Sequence, residues 1–332
     1  MPWDGVRAAK ALHEVDLLAR ENVVGVAVGH KVVRGRETEE KCIVVFVDRK
    51  LAVEDLRKRD LVPPALEGVR TDVVETGRFT ALSMSEPLGL SRTTRIRPAP
   101  GGVSIAHFKV TAGTLGIRAV RRGLGPVILS NNHVLANSND ASPGDLILQP
   151  GPVDGGRLED ALAKLTDFVP IAFAERQLGL FGRFVEWLLA PILARVGLRL
   201  QRLPSDKTNL VDCAIARPLN EEEVSADILE VGRVAGTVEP ELGMRVKKSG
   251  RTTGLTEGRI TAMDAVVEVD YGGKTAMFRQ QIVVDAMSKG GDSGSLVLDE
   301  SNRAVGLLFA GSTKTTLLNP IDAVLKLLDL SL

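Results

Sequence analysis

The run Gly290-Gly291-Asp292-Ser293-Gly294-Ser295 sets a serine among three glycines. Glycine weakens any strand or helix that holds it, so such a run marks a tight turn whose backbone N–H groups stay open to approach. There Ser293 can serve as a nucleophile, with the N–H groups of Gly291 and Ser293 pointing at one spot beside its hydroxyl. Such a pair is an oxyanion hole, which stabilises the negative oxygen formed when a carbonyl is attacked. The same six residues also suit a plain polar turn between strands, so the reading depends on partners elsewhere in the chain.

A serine hydroxyl is a weak nucleophile near neutral pH. It needs a base within hydrogen-bond reach and a carboxylate that orients the base. The chain has four histidines, His13, His30, His107 and His133. Only His133 stands in a telling context: the apolar strand Val127-Ile-Leu-Ser130 runs into Asn131-Asn132 and delivers the imidazole at its end. The carboxylate is Asp212, in Asn209-Leu-Val-Asp-Cys-Ala-Ile-Ala216. An acid set inside an apolar strand is costly unless it has a partner. The order His133, Asp212, Ser293 is that of chymotrypsin, not of subtilisin or the α/β-hydrolases, and Ser295 stands where a Gly-x-Ser-x-Gly esterase elbow needs glycine.

These segments, Ser130-Asn-Asn-His-Val134, Val211-Asp-Cys-Ala-Ile-Ala216 and Gly291-Asp-Ser-Gly-Ser295, resemble the catalytic motifs of trypsin/chymotrypsin-fold serine peptidases. The bacterial disulfide-free branch, similar to the plant narrow-leaf serine proteases, fits best. The resemblance covers residues 95 to 330 and extends through Val23-Val-Gly-Val-Ala-Val-Gly29 and Gly68-Val-Arg-Thr-Asp-Val-Val-Glu-Thr-Gly77. It implies a mainly β chain of two six-stranded antiparallel barrels, and a serine endopeptidase working through an acyl-enzyme. An imidazole base then predicts activity that rises with pH. The specificity pocket of the resembled fold maps to Met287 and to Phe309, Ala310 and Gly311. With no acid at its base, it is expected to take a small or medium apolar residue rather than Lys or Arg. Trypsin-like zymogens free a new N-terminus to pair with the aspartate beside the serine. Asp292 is present, but no basic residue before an apolar-Gly-Gly start precedes the first barrel. The chain therefore either folds active or awaits assembly or a ligand. A catalytically latent or inactive protease-fold scaffold is the rival reading, and the complete triad argues against it.

The elements that position these residues follow from pattern. Residues 4 to 20 read as an amphipathic helix, with Val6, Ala9, Leu12 and Leu17 or Leu18 along one stripe. Val23–Val28 and Lys41–Val47 read as strands joined by a polar loop over 33–40, with His30 just past the first strand and structural. Val53–Arg59 reads as a helix stopped by Pro63-Pro64, and Val69–Thr76 as a strand. Residues 1–80 thus form a small α/β unit expected to dock on the barrels or mediate oligomerisation. Residues 81–101 read as a linker whose Arg92, Arg95 and Arg97 are solvated. Residues 102–332 read as the protease domain: a first barrel over 102–170, a helical insertion over 171–205 and a second barrel over 206–332. Around Gly272-Gly273, Ala265–Tyr271 and Met277–Val284 form a hairpin. A helix over 320–330 closes the chain.

Composition limits the rest. The chain has 332 residues, 44% hydrophobic and 25% charged, and a formal net charge of zero, which removes the electrostatic case for nucleic acid. Cys42 and Cys213 lie far apart in apolar runs, no apolar leader opens the chain, and the reading is cytoplasmic. Neither a cofactor nor a metal is expected, since the histidines and cysteines show no ligand spacing. The expected partner is a protein or peptide substrate, and a homo-oligomer is expected. The aromatic-rich stretch 172–202, with Phe173, Phe181, Phe184 and Trp187, carries Arg183, Glu186 and Arg195, which argue against a membrane span. It reads as an oligomer contact or a lid ahead of a membrane-surface helix.

Overall fold

The computed structural model describes residues 2–81, 92–174 and 208–332, and these are mainly β. Among the described residues the α-helices are Trp3–Leu18, Asn132–Leu135 and Ile321–Leu328, and the strands form sheets of twelve, eight and three. The helical insertion expected over 171–205 lies outside the described residues from 175 onward, as does 82–91 of the expected linker.

The eight-stranded sheet carries His133. Its centre is Gly125–Ser130, flanked by Ile117–Arg121 and Ala214–Pro218, with Ala161–Phe168 beyond. Successive side chains of a strand point to opposite faces, and both faces are buried here. Ile128, Ala214 and Ala216 face a core with Ile105, Leu115, Leu135 and Leu162. Val127, Leu129, Cys213 and Ile215 face a second core that includes Leu296, Leu298 and Leu307 of the twelve-stranded sheet. The two sheets therefore join across this second core. The closing helix seals it with Ile321, Val324 and Leu328, spaced three and four apart. Each such buried side chain stabilises by roughly 1.5–3 kcal/mol.

The twelve-stranded sheet carries Ser293. Arg245–Gly250 turns into one long strand, Gly254–Asp270, which begins well before the Ala265 expected from the sequence. The Gly272-Gly273 hairpin forms as expected, with Asp270 opposite Thr275. Leu296–Asp299, Ala304–Gly311 and Thr315–Pro320 follow in antiparallel order.

The N-terminal strands are continuous with this sheet. Val23–Val33 pairs with Gly254–Asp270, Gly25 opposite Val267 and Gly29 opposite Ala262, and carries Arg36–Val47 and then Val69–Glu75 outward. Helix Trp3–Leu18 covers them, burying Val6, Ala9 and Leu17 against Val26, Val28, Ile43 and Val45.

Several expectations need correction. Leu12 lies on the outer face at 72% exposure. The first hairpin is longer than read and turns at Arg34-Gly35, so His30 sits inside its strand opposite Lys41. Val53–Arg59 makes only two short 3-10 turns, Val53–Asp55 and Lys58–Asp60. The arginine cluster is not solvated as a whole. Arg92 is buried and pairs with Glu230, while Arg97 donates to Glu223 at 2.8 Å. Among the described residues no helix is long and apolar enough to cross a membrane.

Candidate active site

Asp212 does not lie inside a strand; it precedes Ala214–Pro218 by two residues, where its backbone is open to side chains. Its N–H donates to Asn319 Oδ1 at 2.9 Å and its carbonyl accepts from Asn131 Nδ2 at 2.7 Å. Asn319 Nδ2 in turn donates to Gln281 Oε1 at 2.7 Å, and Gln281 Nε2 to the Leu210 carbonyl at 2.9 Å. These amides hold the segment that presents the carboxylate.

His133 sits in the helical turn Asn132–Leu135 that follows Gly125–Ser130, at the strand end where the sequence placed it. Its N–H donates to Asp212 Oδ1 at 3.2 Å and its Nδ1 lies 2.6 Å from Asp212 Oδ2. An ionised carboxylate accepts only, so Nδ1 carries the proton of this contact, and in the neutral imidazole Nε2 is then the acceptor. Nε2 is buried and has no hydrogen-bond partner among the described residues.

The same Oδ2 accepts from the Tyr271 hydroxyl at 2.8 Å. Burial first, then the charge of Asp212 and this hydrogen bond, push the phenol well above its usual pKa, so it stays a donor. Asp212, fully buried, therefore has three donors on its two oxygens. The Tyr271 ring stands edge-on to His133 at 5.8 Å and to Phe173 at 5.4 Å. It stacks on Phe278, which touches Phe309 at 4.8 Å. An apolar row thus runs from the imidazole to the strand beside Ser293.

Ser293 lies in a turn fixed from both sheets. Gly291 and Gly294 have φ of +96° and +95°, in the left-handed region that glycine accepts without strain. A Cβ at 294 would run into Ser130 Oγ and the Thr114 carbonyl, so the turn sits directly against the strand that leads to His133. The Ser293 carbonyl accepts from Thr114 N–H at 2.8 Å, and Ser130 Oγ donates to the Thr114 carbonyl at 2.7 Å. The Gly290 carbonyl accepts from Thr252 Oγ1 at 2.7 Å. A trans amide is planar, so pinning that carbonyl aims the Gly291 N–H the opposite way, away from Thr252. Among the described residues, neither the Gly291 nor the Ser293 N–H meets an acceptor.

Charged side chains brace the turn from beneath. Asp292 Oδ1 accepts from the N–H groups of Thr252 and Thr253 at 2.9 and 3.1 Å, and Oδ2 from Thr253 Oγ1 at 2.6 Å and Lys289 N–H at 2.9 Å. Lys248 Nζ lies 3.4 Å from Oδ2, both side chains fully buried. Burial lowers the lysine pKa and Asp292 opposes that fall. Arg251, also buried, forks onto Asp154 at 2.5 and 2.7 Å, tying the turn to a loop of the other sheet.

The structure thus brings His133 and Asp212 into direct contact and sets the Ser293 turn against the strand that leads to them. The Ser293 hydroxyl itself points elsewhere, donating to the Phe309 carbonyl at 3.3 Å. Of the pocket residues, Met287 is buried in a core with Val246 and Ile282, its N–H on Thr316 Oγ1 at 3.1 Å. Phe309 and Ala310 are fully buried. Gly311 lies opposite Thr80. Tyr271, Asn319, Gln281, Lys248 and Arg251 escaped the sequence reading. An available signal was that Tyr271 is the one tyrosine in the chain, beside the Gly272-Gly273 turn of the expected hairpin. Among the described residues no group of three or more His, Cys, Asp or Glu is disposed to hold a metal.

The model of the NARROW LEAF 1 N-terminal domain matches residues 7–75, outside the residues of this site. No curated protein matches the chain by sequence. Among solved structures, the chain is similar to bacterial serine proteases. Cellulomonas bogoriensis chymotrypsin is 18% identical over 70% of this chain and 97% of that one, with a TM-score of 0.43. Thermobifida fusca protease A is 17% identical over 70% and 96%, at 0.45. Nocardiopsis protease is 16% identical over 70% and 97%, at 0.44.

Proposed function

We propose that the chain is a serine endopeptidase, with Ser293 as nucleophile, His133 as general base and Asp212 as its orienting carboxylate, on a two-barrel frame carrying the N-terminal unit 1–80. The observation that carries the reading is the 2.6 Å contact of His133 Nδ1 with a buried, triply hydrogen-bonded Asp212, which leaves a buried Nε2 as acceptor. Ser293 turns its hydroxyl from the Phe309 carbonyl toward Nε2. Oγ then attacks the peptide carbonyl carbon while its proton passes to Nε2, and Asp212 stabilises the imidazolium. The carbonyl oxygen gains the electron pair and sits against the Gly291 and Ser293 N–H groups, an interaction worth roughly 3–4 kcal/mol of barrier per donor. Collapse expels the amine, which takes the proton from Nε2, and leaves a seryl ester. Water attacks the ester by the same steps reversed in role, freeing the acid and restoring Ser293.

A latent form of the same site is favoured by one observation, the bond of the Ser293 hydroxyl to Phe309. The test is labelling by a fluorophosphonate probe of wild type beside Ser293→Ala, with mass mapping of the adduct and turnover of labelled casein. An adduct at Ser293 with casein cleavage is expected. A folded wild type that neither labels nor cleaves would overturn the peptidase reading in favour of a silent scaffold.

A further inference from the structure

Phe79–Ala81 occupies the edge of strand Ala304–Gly311 next to the turn that carries Ser293. The strand Ala304–Gly311 is bordered on one side by Thr315–Pro320, from Gly306 to Gly311. Its other side is filled in three steps. Leu296–Asp299 covers Ala304 to Leu307. The serine turn comes next: Gly294 N–H donates to the Leu308 carbonyl at 2.8 Å, Leu308 N–H donates to the Ser295 carbonyl at 3.0 Å, and Ser293 Oγ rests on the Phe309 carbonyl. Beyond the turn, the edge at Ala310 and Gly311 is taken by the chain's own Phe79–Ala81, antiparallel, with Ala81 opposite Ala310 and Thr80 opposite Gly311. That register runs the segment from Phe79 through Ala81 toward Phe309 and Ser293.

A peptide attacked at one carbonyl must bring that carbon to Ser293 Oγ in extended form. The backbone groups on its N-terminal side then need partners, and the edge within reach is Phe309–Gly311. Adding a strand to a sheet edge supplies those hydrogen bonds. We propose that Phe79–Ala81 fills the Ala310–Gly311 part of this edge in cis, so that a substrate strand laid along Phe309–Gly311 must displace the chain's own strand. The proposal rests on the peptidase reading for what the edge serves.

The occupant is built for this place. Phe79 is 1% exposed, stands edge-on to Phe46 at 5.9 Å and shares a core with Phe309 and Ala310, so it anchors the segment. Glu75, shortly before it, pairs with Lys314 just beyond the same edge. Thr80 and Ala81 are only half-buried and have small side chains against Ala310 and Gly311. The ligand class is thus an extended peptide with small residues beside Ala310 and Gly311. A tethered strand competes at an effective concentration on the order of millimolar, so a free peptide sees an edge that is open only part of the time.

The test uses the full chain carrying Ser293→Ala, with and without Ala81→Cys and Ala310→Cys together. Opposed positions of antiparallel strands lie within reach of a disulfide. Binding of the fluorescein-labelled hexapeptide Thr-Gly-Arg-Phe-Thr-Ala, the sequence of residues 76–81, is read by anisotropy with the disulfide closed and after reduction. Binding at least about ten-fold weaker in the closed form and restored on reduction is expected. Equal affinity in both forms, or a folded double variant that forms no disulfide, would overturn the proposal. Hydrogen exchange of the Ser293→Ala chain covers a double variant that does not fold. Saturating hexapeptide should deprotect residues 79–81, and unchanged protection there would also overturn it. Fluorophosphonate labelling of wild type keeps the two readings apart. A labelled Ser293 with a strand that is never displaced sinks only this inference, and a displaceable strand beside an unreactive serine sinks only the peptidase.

Discussion

Alkaline titration of Tyr271 tests the site without needing a substrate. Tyr271 is the one tyrosine of the chain, so tyrosinate absorbance reports it alone. Burial and Asp212 hold its phenol well above the usual pKa of 10.0. Cys213, beside Asp212, is pushed well above 9.0 by burial and then by that same charge, and Cys42 is pushed up to about 12, chiefly by burial. All three are acids that keep a proton when folded and release it when unfolded. The folded chain therefore binds more protons than the unfolded one above these values, and stability falls as pH rises. Their contribution is complete below about pH 9 and is lost as pH climbs toward the folded values. Each retained proton gives a slope of about 1.4 kcal/mol per pH unit, so the three together give about 4 kcal/mol per unit above about pH 10 for as long as all three stay protonated. Against a total of about 5–15 kcal/mol for a folded protein, about one to four such units suffice to unfold it. The expected result is no tyrosinate signal until far-ultraviolet circular dichroism collapses at the same pH, and a midpoint near about 10 in guanidinium. A reversible midpoint near 10 in a chain that keeps its circular dichroism would refute the Tyr271–Asp212 contact.

Other perturbations address single parts. Asp212→Asn offers Nδ1 an amide in place of a carboxylate and lets the imidazole take the wrong tautomer. Casein turnover should fall about 10⁴-fold, and a loss under ten-fold would deny Asp212 its orienting role. Lys248→Met leaves Asp292 buried without its cation. Removing one member of such a pair costs about 3–5 kcal/mol, read as a lower urea midpoint with an unchanged slope, together with slower fluorophosphonate labelling. Wild-type stability would mean that the four hydrogen bonds to Asp292 suffice. Gly294→Ala sets a methyl against Ser130 Oγ and the Thr114 carbonyl at a φ of +95°. Loss of labelling and of folded yield is expected, and a normally labelled variant would contradict the contact between turn and strand.

The pairing of His133 with Asp212 was legible because local pattern announces each residue: an apolar strand ending in a polar turn, and an acid in an apolar run. The hairpin at Gly272-Gly273 and the closing helix were legible for the same reason, since turn chemistry and periodicity are local. The partners that stabilise these residues were not. Tyr271 meets Asp212 from 59 residues away and Asn319 from 107, and nothing near either one marks it as a carboxylate's or an amide's partner. The arginines of 92–97 misled for the converse reason. Their surroundings, rich in Ser, Thr and Pro, read as solvent-facing, yet Glu230 and Glu223 lie more than a hundred residues on and draw Arg92 and Arg97 inward.

The sequence also left open whether a new N-terminus is needed to hold Asp292. Physically, that carboxylate needs a cation and donors wherever they come from, because a buried charge without them is too costly to keep. Lys248 and four hydrogen bonds supply both from within the chain, so the turn that carries Ser293 is braced without any cleavage. On the peptidase reading, ordering Ser293 and admitting a peptide are therefore separate problems. The first is met by buried groups that do not depend on a ligand. The second would turn on the three-residue strand Phe79–Ala81, which is anchored by Phe79 and pairs also with Gly254–Asp270, while its Thr80 and Ala81 are half-buried. On that reading, control placed there would gate access of a peptide and leave the chemistry at Ser293 intact.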